Sequence, residues 1–204
     1  MKVVNQPDFE ITSAACKAAT GKTIEEWFAD LDANGGETAG RRNNTQHIYL
    51  QTKDAWWATT VVVEYERSKG QVKKDGLVEG FTICVTKNIN APVAKVYSTW
   101  TDPAAFEALF GDNARQDVRD GGEIACDAGC KGVFTRIRHE KDLRFTWEHP
   151  GCSAPMTVDV QFQDVKGKTL MNVMTSRIQT RGEADGLRNA WSDFLVQLKS
   201  RSES

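Results

Sequence analysis

The chain has 204 residues, an apolar fraction of 40%, and 26 basic against 28 acidic side chains; the balance holds on both sides of residue 78, at 10 against 11 and then 16 against 17. That excludes the basic excess on which non-specific nucleic-acid binding depends. No apolar run approaches the roughly 20 residues of a membrane span, and Asp8 and Glu10 sit where a signal peptide would be apolar, so the sequence reads as a cytoplasmic protein.

Residues 1–12 show no persistent period and read as a loose lead-in. A short helix is expected over 14–19, ending near Gly21. Thr23 and Glu26 have the spacing of a capping box, and Ile24, Trp27, Phe28 and Leu31 then share one helical face up to the stop at Asn34-Gly35-Gly36. Residues 37–46 are polar, and a short helix is expected around His47, Ile48 and Leu50. Asp54 can cap a further helix from Ala55, although the β-branched run 59–63 would also suit a strand. A helical unit over 13–66 is small for an independent core. Trp27, Phe28, Trp56 and Trp57 are therefore expected to pack against a second domain or a second chain, which leaves a homodimer open. Residues 67–78 are polar and glycine-punctuated and read as a linker.

From residue 79 the pattern changes. Phe81, Ile83 and Val85 alternate with Thr82, Cys84 and Thr86, as a half-buried strand requires. Asn90-Ala91-Pro92 stops the strand, with Asn90 placed to cap the next turn. Val93, Val96, Tyr97 and Trp100 make a helical stripe. Asp102 caps a second short helix with Pro103 at its first position, and that helix presents Phe106, Leu109 and Phe110 before Gly111. Strands are expected over 123–126 and 131–139, the latter with Val133, Thr135 and Ile137 on one face. Three more follow, marked by Leu143-Phe145-Trp147, by Met156-Val158-Val160-Phe162 and by Met171-Val173-Thr175. Short turns between successive strands imply an antiparallel meander. A long helix opens at Glu183-Ala184-Asp185 and carries Leu187, Trp191, Phe194, Leu195 and Leu198 on one stripe, with 199–204 polar and expected to fray.

The fold class is α+β. A curved antiparallel sheet needs one face covered, and the long helix is the element able to cover it. Such a groove tends to hold a small apolar or amphipathic ligand. Its expected lining is Trp100, Phe106, Phe110, Val133, Phe145, Trp147, Val158, Val173, Trp191 and Phe194, and a slip of one register would reverse the strand contributions.

These features resemble the START-like (Bet v 1-like, helix-grip) superfamily, and within it the bacterial branch similar to the C-terminal domain of the activator of Hsp90 ATPase, also called polyketide cyclase/dehydrase-like. The segments that carry the resemblance are NAPVAKVYSTWTDPAAFEALFG at 90–111, RIRHEKDLRFTWEH at 136–149 and GLRNAWSDFLVQLKS at 186–200, within a domain over 79–200. Where family members commonly show Trp-Phe-Gly at the end of the second helix, this chain has Leu109-Phe110-Gly111. Residues 16–66 are similar to a separate helical domain found fused ahead of such domains, a likeness that implies no biochemical role. The resemblance implies small-molecule binding. It also admits an enzyme of the cyclase or dehydratase kind, or a chaperone-associated role.

Little catalytic chemistry is legible. Asp159, Glu148, Arg144 and Arg136 could serve acid–base work, yet their alternation with apolar neighbours places them on the solvated face. There is no phosphate-binding glycine motif and no nucleophile elbow, and no cofactor is expected. The five cysteines form no disulfide framework and read as reduced thiols. Cys126 and Cys130 straddle a turn and fall short of a four-ligand zinc site.

Overall fold

A computed structural model describes residues 1–204. It divides into two compact units, Pro7–Phe81 and Met1–Gln6 with Thr82–Ser204.

The first unit is built from four helices whose ends are set locally. In α1 (Ser13–Thr20) the Thr12 hydroxyl accepts from the Ala15 N–H, and Gly21 closes the helix in the left-handed region. The capping box of α2 (Ile24–Ala33) is complete: Thr23 accepts from the Glu26 N–H and Glu26 accepts from the Thr23 N–H. Helix α3 (Gly36–Thr52) starts well before the expected segment around 47–50. It tolerates that polar start because Gly40 breaks it at φ 76°, ψ 158°, and the Asn44 amide donates to the Gly36 carbonyl across the break.

Helix α4 (Ala55–Ser68) absorbs the β-branched run 59–63. Thr59 and Thr60 donate to the carbonyls of Ala55 and Trp56, at 2.8 and 2.7 Å, so their hydroxyls are satisfied inside the helix. Trp27, Leu31, Ile48, Trp57, Val61 and Tyr65 are part of this unit's own core, with Phe28 and Trp56 packed against it. The four aromatic side chains expected to need a neighbour thus find their packing within the unit. The Trp27 N–H donates to the Thr20 hydroxyl at 2.8 Å, which leaves no indole donor wanting at that point.

The second unit holds seven strands in one sheet, in the order β1-β7-β6-β5-β4-β3-β2. These are β1 (Phe81–Ile89), β2 (Arg115–Gln116), β3 (Glu123–Ala125), β4 (Lys131–Arg138), β5 (Asp142–Glu148), β6 (Met156–Val165) and β7 (Lys168–Ile178). From β2 through β7 each strand pairs antiparallel with the next in sequence, as short turns dictate. Between β1 and β2 lie α5 (Val93–Thr101) and α6 (Pro103–Phe110), and α7 (Arg181–Glu203) closes the chain. The result is the helix-grip α+β fold.

The details differ from expectation at three ends. Pro92, not Asn90, is the N-cap of α5, and the Asn90 N–H donates to the Glu203 carboxylate at 2.6 Å. Helix α7 opens earlier, on a second capping box between Thr180 and Glu183, and runs to Glu203 instead of fraying. Its far end is held by that Asn90 bond and by Lys199, which donates to the Asn88 carbonyl at 3.1 Å. Residues 1–6 are not a loose lead-in but pack on this unit: the Met1 amine donates to the Phe110 carbonyl and Asn5 to the Gly151 carbonyl. The Val4 carbonyl lies so close to Gly186 that any Cβ there would collide with it.

Candidate functional site

The inner face of the sheet follows from pairing. Phe145 faces Phe134 on one side and Val158 on the other, Val158 faces Thr175, and Val160 faces Val173. Alternation then puts Leu143, Phe145 and Trp147 of β5 on the same face as Met156, Val158, Val160 and Phe162 of β6 and Met171, Val173 and Thr175 of β7, and all ten are buried. Helix α7 lays Leu187, Trp191, Phe194, Leu195 and Leu198 against this face, and α5 and α6 add Trp100, Phe106, Leu109 and Phe110.

Nine of the ten expected lining residues come together here, and all nine are buried. Six of the aromatic ones, all but Phe145, touch as a single cluster. Trp191 lies 5.3 Å from Trp147 and 6.2 Å from Trp100, centroid to centroid. Phe110 lies 5.9 Å from Trp100, 6.4 Å from Trp147, 6.0 Å from Trp191 and 4.9 Å from Phe194, each nearly edge to face, and stacks on Phe106 at 4.1 Å.

Val133 is the exception. It is 40% exposed, pairs with Thr146, and borders a surface concavity of about 450 Å³ together with Thr146 and Glu148. The cause is a bulge in β4: the register shifts between Phe134 and Arg136, so Thr135 is an inserted residue. One extra residue reverses the alternation beyond it, so Phe134 and Ile137, not Val133 and Ile137, share the inner face. Phe134 is 1% exposed and contacts Phe145 at 5.6 Å.

The polar atoms of this interior are the informative ones. The indole nitrogens of Trp100, Trp147 and Trp191, the Thr175 hydroxyl and the Gln116 side-chain carbonyl are buried without a hydrogen-bond partner. Buried polar atoms are ordinarily paired, and an indole N–H can only donate. Gln116 spends its amide on the Trp100 carbonyl, at 2.7 Å, which fixes the end of α5 against β2. Thr175 was legible as a hydroxyl at an inward position of its strand. Gln116 lay in a polar stretch with no periodic signal.

The charged candidates sit on the opposite face. Asp159 accepts from Arg144 at 2.7 and 2.9 Å and from Arg136 at 3.1 Å; Arg136 also donates to Asp142 at 2.8 Å, and Arg138 pairs with Asp142. Burial alone would raise the Asp142 carboxyl, but hydrogen bonds from Arg138 and Arg136 outweigh it and hold the group below its ordinary value. Glu148 pairs with Lys131 at 3.3 Å. None of the four acid–base candidates faces the aromatic interior.

Cys126 and Cys130 are joined by a disulfide rather than held as thiols. The turn between β3 and β4 brings their Cα atoms to 5.3 Å, within bridging range, and Gly129 donates to the Cys126 carbonyl at 3.0 Å to close it. The spacing across a turn was the available signal; the count of five cysteines hid it. Cys16, Cys84 and Cys152 are free, and burial, reinforced by Glu183, pushes the Cys152 thiol up to about 12. No three His, Cys, Asp or Glu side chains converge as a metal site, and no helix is long and apolar enough to cross a membrane.

A curved antiparallel sheet wrapped on a C-terminal helix, with an aromatic interior between them, places the protein in the helix-grip class. The family described as activator of Hsp90 ATPase homolog 1-like protein matches residues 90–203, more than half of the chain, and the chain belongs to that family. Solved structures agree on the fold. CalU16 from Micromonospora echinospora is 22% identical with a TM-score of 0.51, over 60% of this chain and 80% of that one. An Hsp90 activator from Plasmodium falciparum is 22% identical with a TM-score of 0.54, over 60% and 96%. The CV1439 protein of Chromobacterium violaceum is 18% identical with a TM-score of 0.52, over 60% and 97%. At such identities the likeness is one of fold. No curated protein matches the chain in sequence.

Proposed function

We propose that the helix-grip unit binds a small apolar or amphipathic molecule among the rings between its sheet and α7. One observation carries the reading: three indole N–H groups are buried without acceptors in a single ring cluster. A core selected only for stability pairs or omits such donors, because leaving each unmade costs about 1–3 kcal/mol. A ligand would be held by loss of its apolar surface from water and oriented by these few polar groups. A cyclase- or dehydratase-like reaction has less support, since Asp159, Glu148, Arg144 and Arg136 are committed to the outer face.

Native mass spectrometry of the whole chain, purified from its own host, tests the proposal. The expected result is a non-covalent adduct released on denaturation. Ligand-free protein throughout, with the three indoles bonded to ordered waters in a crystal, would reject it.

A second reading, a role beside an Hsp90-type chaperone, is supported by the family's description and by the Plasmodium structure. It expects Hsp90 to be enriched on the immobilised chain over a blank matrix; absence of enrichment removes it.

A further inference from the structure

We infer that the helical unit carries a binding site of its own, a groove along α3 that takes a small flat molecule with an anionic head, an aryl carboxylate being the simplest case. The inference is independent of the ligand-binding reading above, because every residue that borders the groove belongs to the unit Pro7–Phe81.

The first ground is which side chains are already spent. Beyond the break at Gly40, Arg41, Asn43, Asn44, His47, Gln51 and Thr52 of α3 each make a hydrogen bond within the unit. The side chains of Arg42, Thr45 and Gln46 and the Tyr49 hydroxyl make none. Spacings of three and four residues put these four on one stripe of the helix. All four border a single concavity of about 630 Å³, walled on its other sides by Ala55 and Glu79. That volume is in the range of small-molecule sites. The unspent polar tips of the helix thus converge on one hollow instead of being scattered around its surface.

The second ground is charge. Arg41 gives its Nε–H to the Glu66 carboxylate at 2.9 Å and a further N–H to the Gly80 carbonyl, and Glu79 pairs with Lys73 at 2.7 Å. Those charges cancel within the unit. The Arg42 guanidinium is left over, so the groove is positive and the complementary head is an anion. A carboxylate can take two parallel N–H donors from one guanidinium.

The third ground is shape. Arg42 and Tyr49 are seven residues apart, which is about 10 Å along a helix. At the far end the Tyr49 ring is 39% exposed, and the Lys53 ammonium lies 5.8 Å over it. Thr45 and Gln46 stand between, offering a hydroxyl and an amide to a polar edge. A fused pair of rings with its acid group toward Arg42 spans this stripe, and a cationic guest would be repelled at both ends.

Titration of the isotope-labelled full chain with 2-naphthoate, 2-naphthylmethanol and 2-naphthylmethylammonium, followed through its amide signals by NMR, tests this. The three share one flat frame and differ in the charge of the head. 2-Naphthoate is expected to move the amide signals of residues 42–49 and to bind about five-fold or more tighter than the alcohol, with the ammonium weakest. Added salt should narrow the gap. Arg42→Gln should remove most of the advantage of the carboxylate over the alcohol, and Tyr49→Ala should weaken both. Octanoate, an acid without a ring, should bind more weakly than 2-naphthoate.

No movement of the signals of residues 42–49 with any probe would overturn the site. Equal binding of carboxylate and alcohol, or a carboxylate advantage untouched in Arg42→Gln, would overturn the anionic head. Parity of octanoate with 2-naphthoate would overturn the aromatic body. Movement confined to signals of the helix-grip unit would overturn the groove while supporting the reading above.

Discussion

The two units solve the same problem, burying tryptophan, in different ways. In the helical unit Trp27 is buried and its N–H is met by the hydroxyl of Thr20, the last residue of the neighbouring helix α1. In the helix-grip unit Trp100, Trp147 and Trp191 are just as deeply buried, and none of their N–H groups is met. Shape and apolar area are well served in both cores. Hydrogen bonding is served at Trp27 and left open in the second cluster. The difference lies in which buried indole donor is paired and which are not.

The largest test concerns how each unit uses a capping box. Glu26 closes the box of α2 while exposed to solvent. Glu183 closes the box of α7 while 4% exposed, and also accepts from the Ser153 N–H at 2.7 Å and the Gln179 N–H at 3.2 Å. Glu183→Ala therefore orphans more buried donors, and is expected to lower stability by about 2–3 kcal/mol in urea unfolding. Glu26→Ala is expected to lose under about 1 kcal/mol. Equal losses would mean that the second box is no more embedded than the first.

A smaller effect bears directly on the tryptophans. Trp27→Phe removes a donor that is used, and Trp191→Phe removes one that is not. Both lose similar ring volume, so Trp27→Phe is expected to be the more destabilising by about 1 kcal/mol in ligand-free protein. Parity, or the reverse order, would show that Trp191 has a partner in solution and would collapse the contrast between the cores.

The smallest effect lies on the outer face of the sheet. The Asp142 carboxyl is held below its ordinary value of about 4 by hydrogen bonds from Arg138 and Arg136. Below that ordinary value the unfolded chain binds a proton that the folded chain resists. The resulting stabilisation is therefore complete above pH ~4 and is lost as pH falls through the lower folded value. Asp142→Asn should make the fall of stability below pH ~4 shallower, read from thermal midpoints as the pH is lowered. An unchanged acid limb would detach Asp142 from the acid response.

Much of the fold was legible because much of it is local. The Thr23–Glu26 box, Gly21 after α1, Asp102 before Pro103 and the inward alternation of β5, β6 and β7 each depend on residues a few positions apart. Phe145, Trp147, Val158 and Val173 followed from that alternation, and Trp100, Phe106, Phe110, Trp191 and Phe194 from helical stripes. Val133 did not, because a bulge is an event between two strands, and nothing in the single run 131–138 marks Thr135 as the inserted residue. The Cys126–Cys130 bridge and the early start of α3 escaped for related reasons. One depends on how tightly a turn closes, the other on a break at Gly40 bridged by a bond from Asn44 to Gly36 that spans eight residues.

What the sequence determined by itself is the order and type of most elements and the apolar faces of α7 and of the central strands. Those follow from side-chain period and capping chemistry, which act over one or two turns of chain. Only the tertiary structure decided that Phe134 replaces Val133 inside, that the end of α7 and residues 1–6 are tied down, and that the outer-face arginines pair with Asp142 and Asp159. It alone decided, too, that Trp27 finds an acceptor while Trp100, Trp147 and Trp191 do not. Whether a buried donor is paired depends on which atoms lie within about 3 Å of it, and those atoms come from elements far apart along the chain.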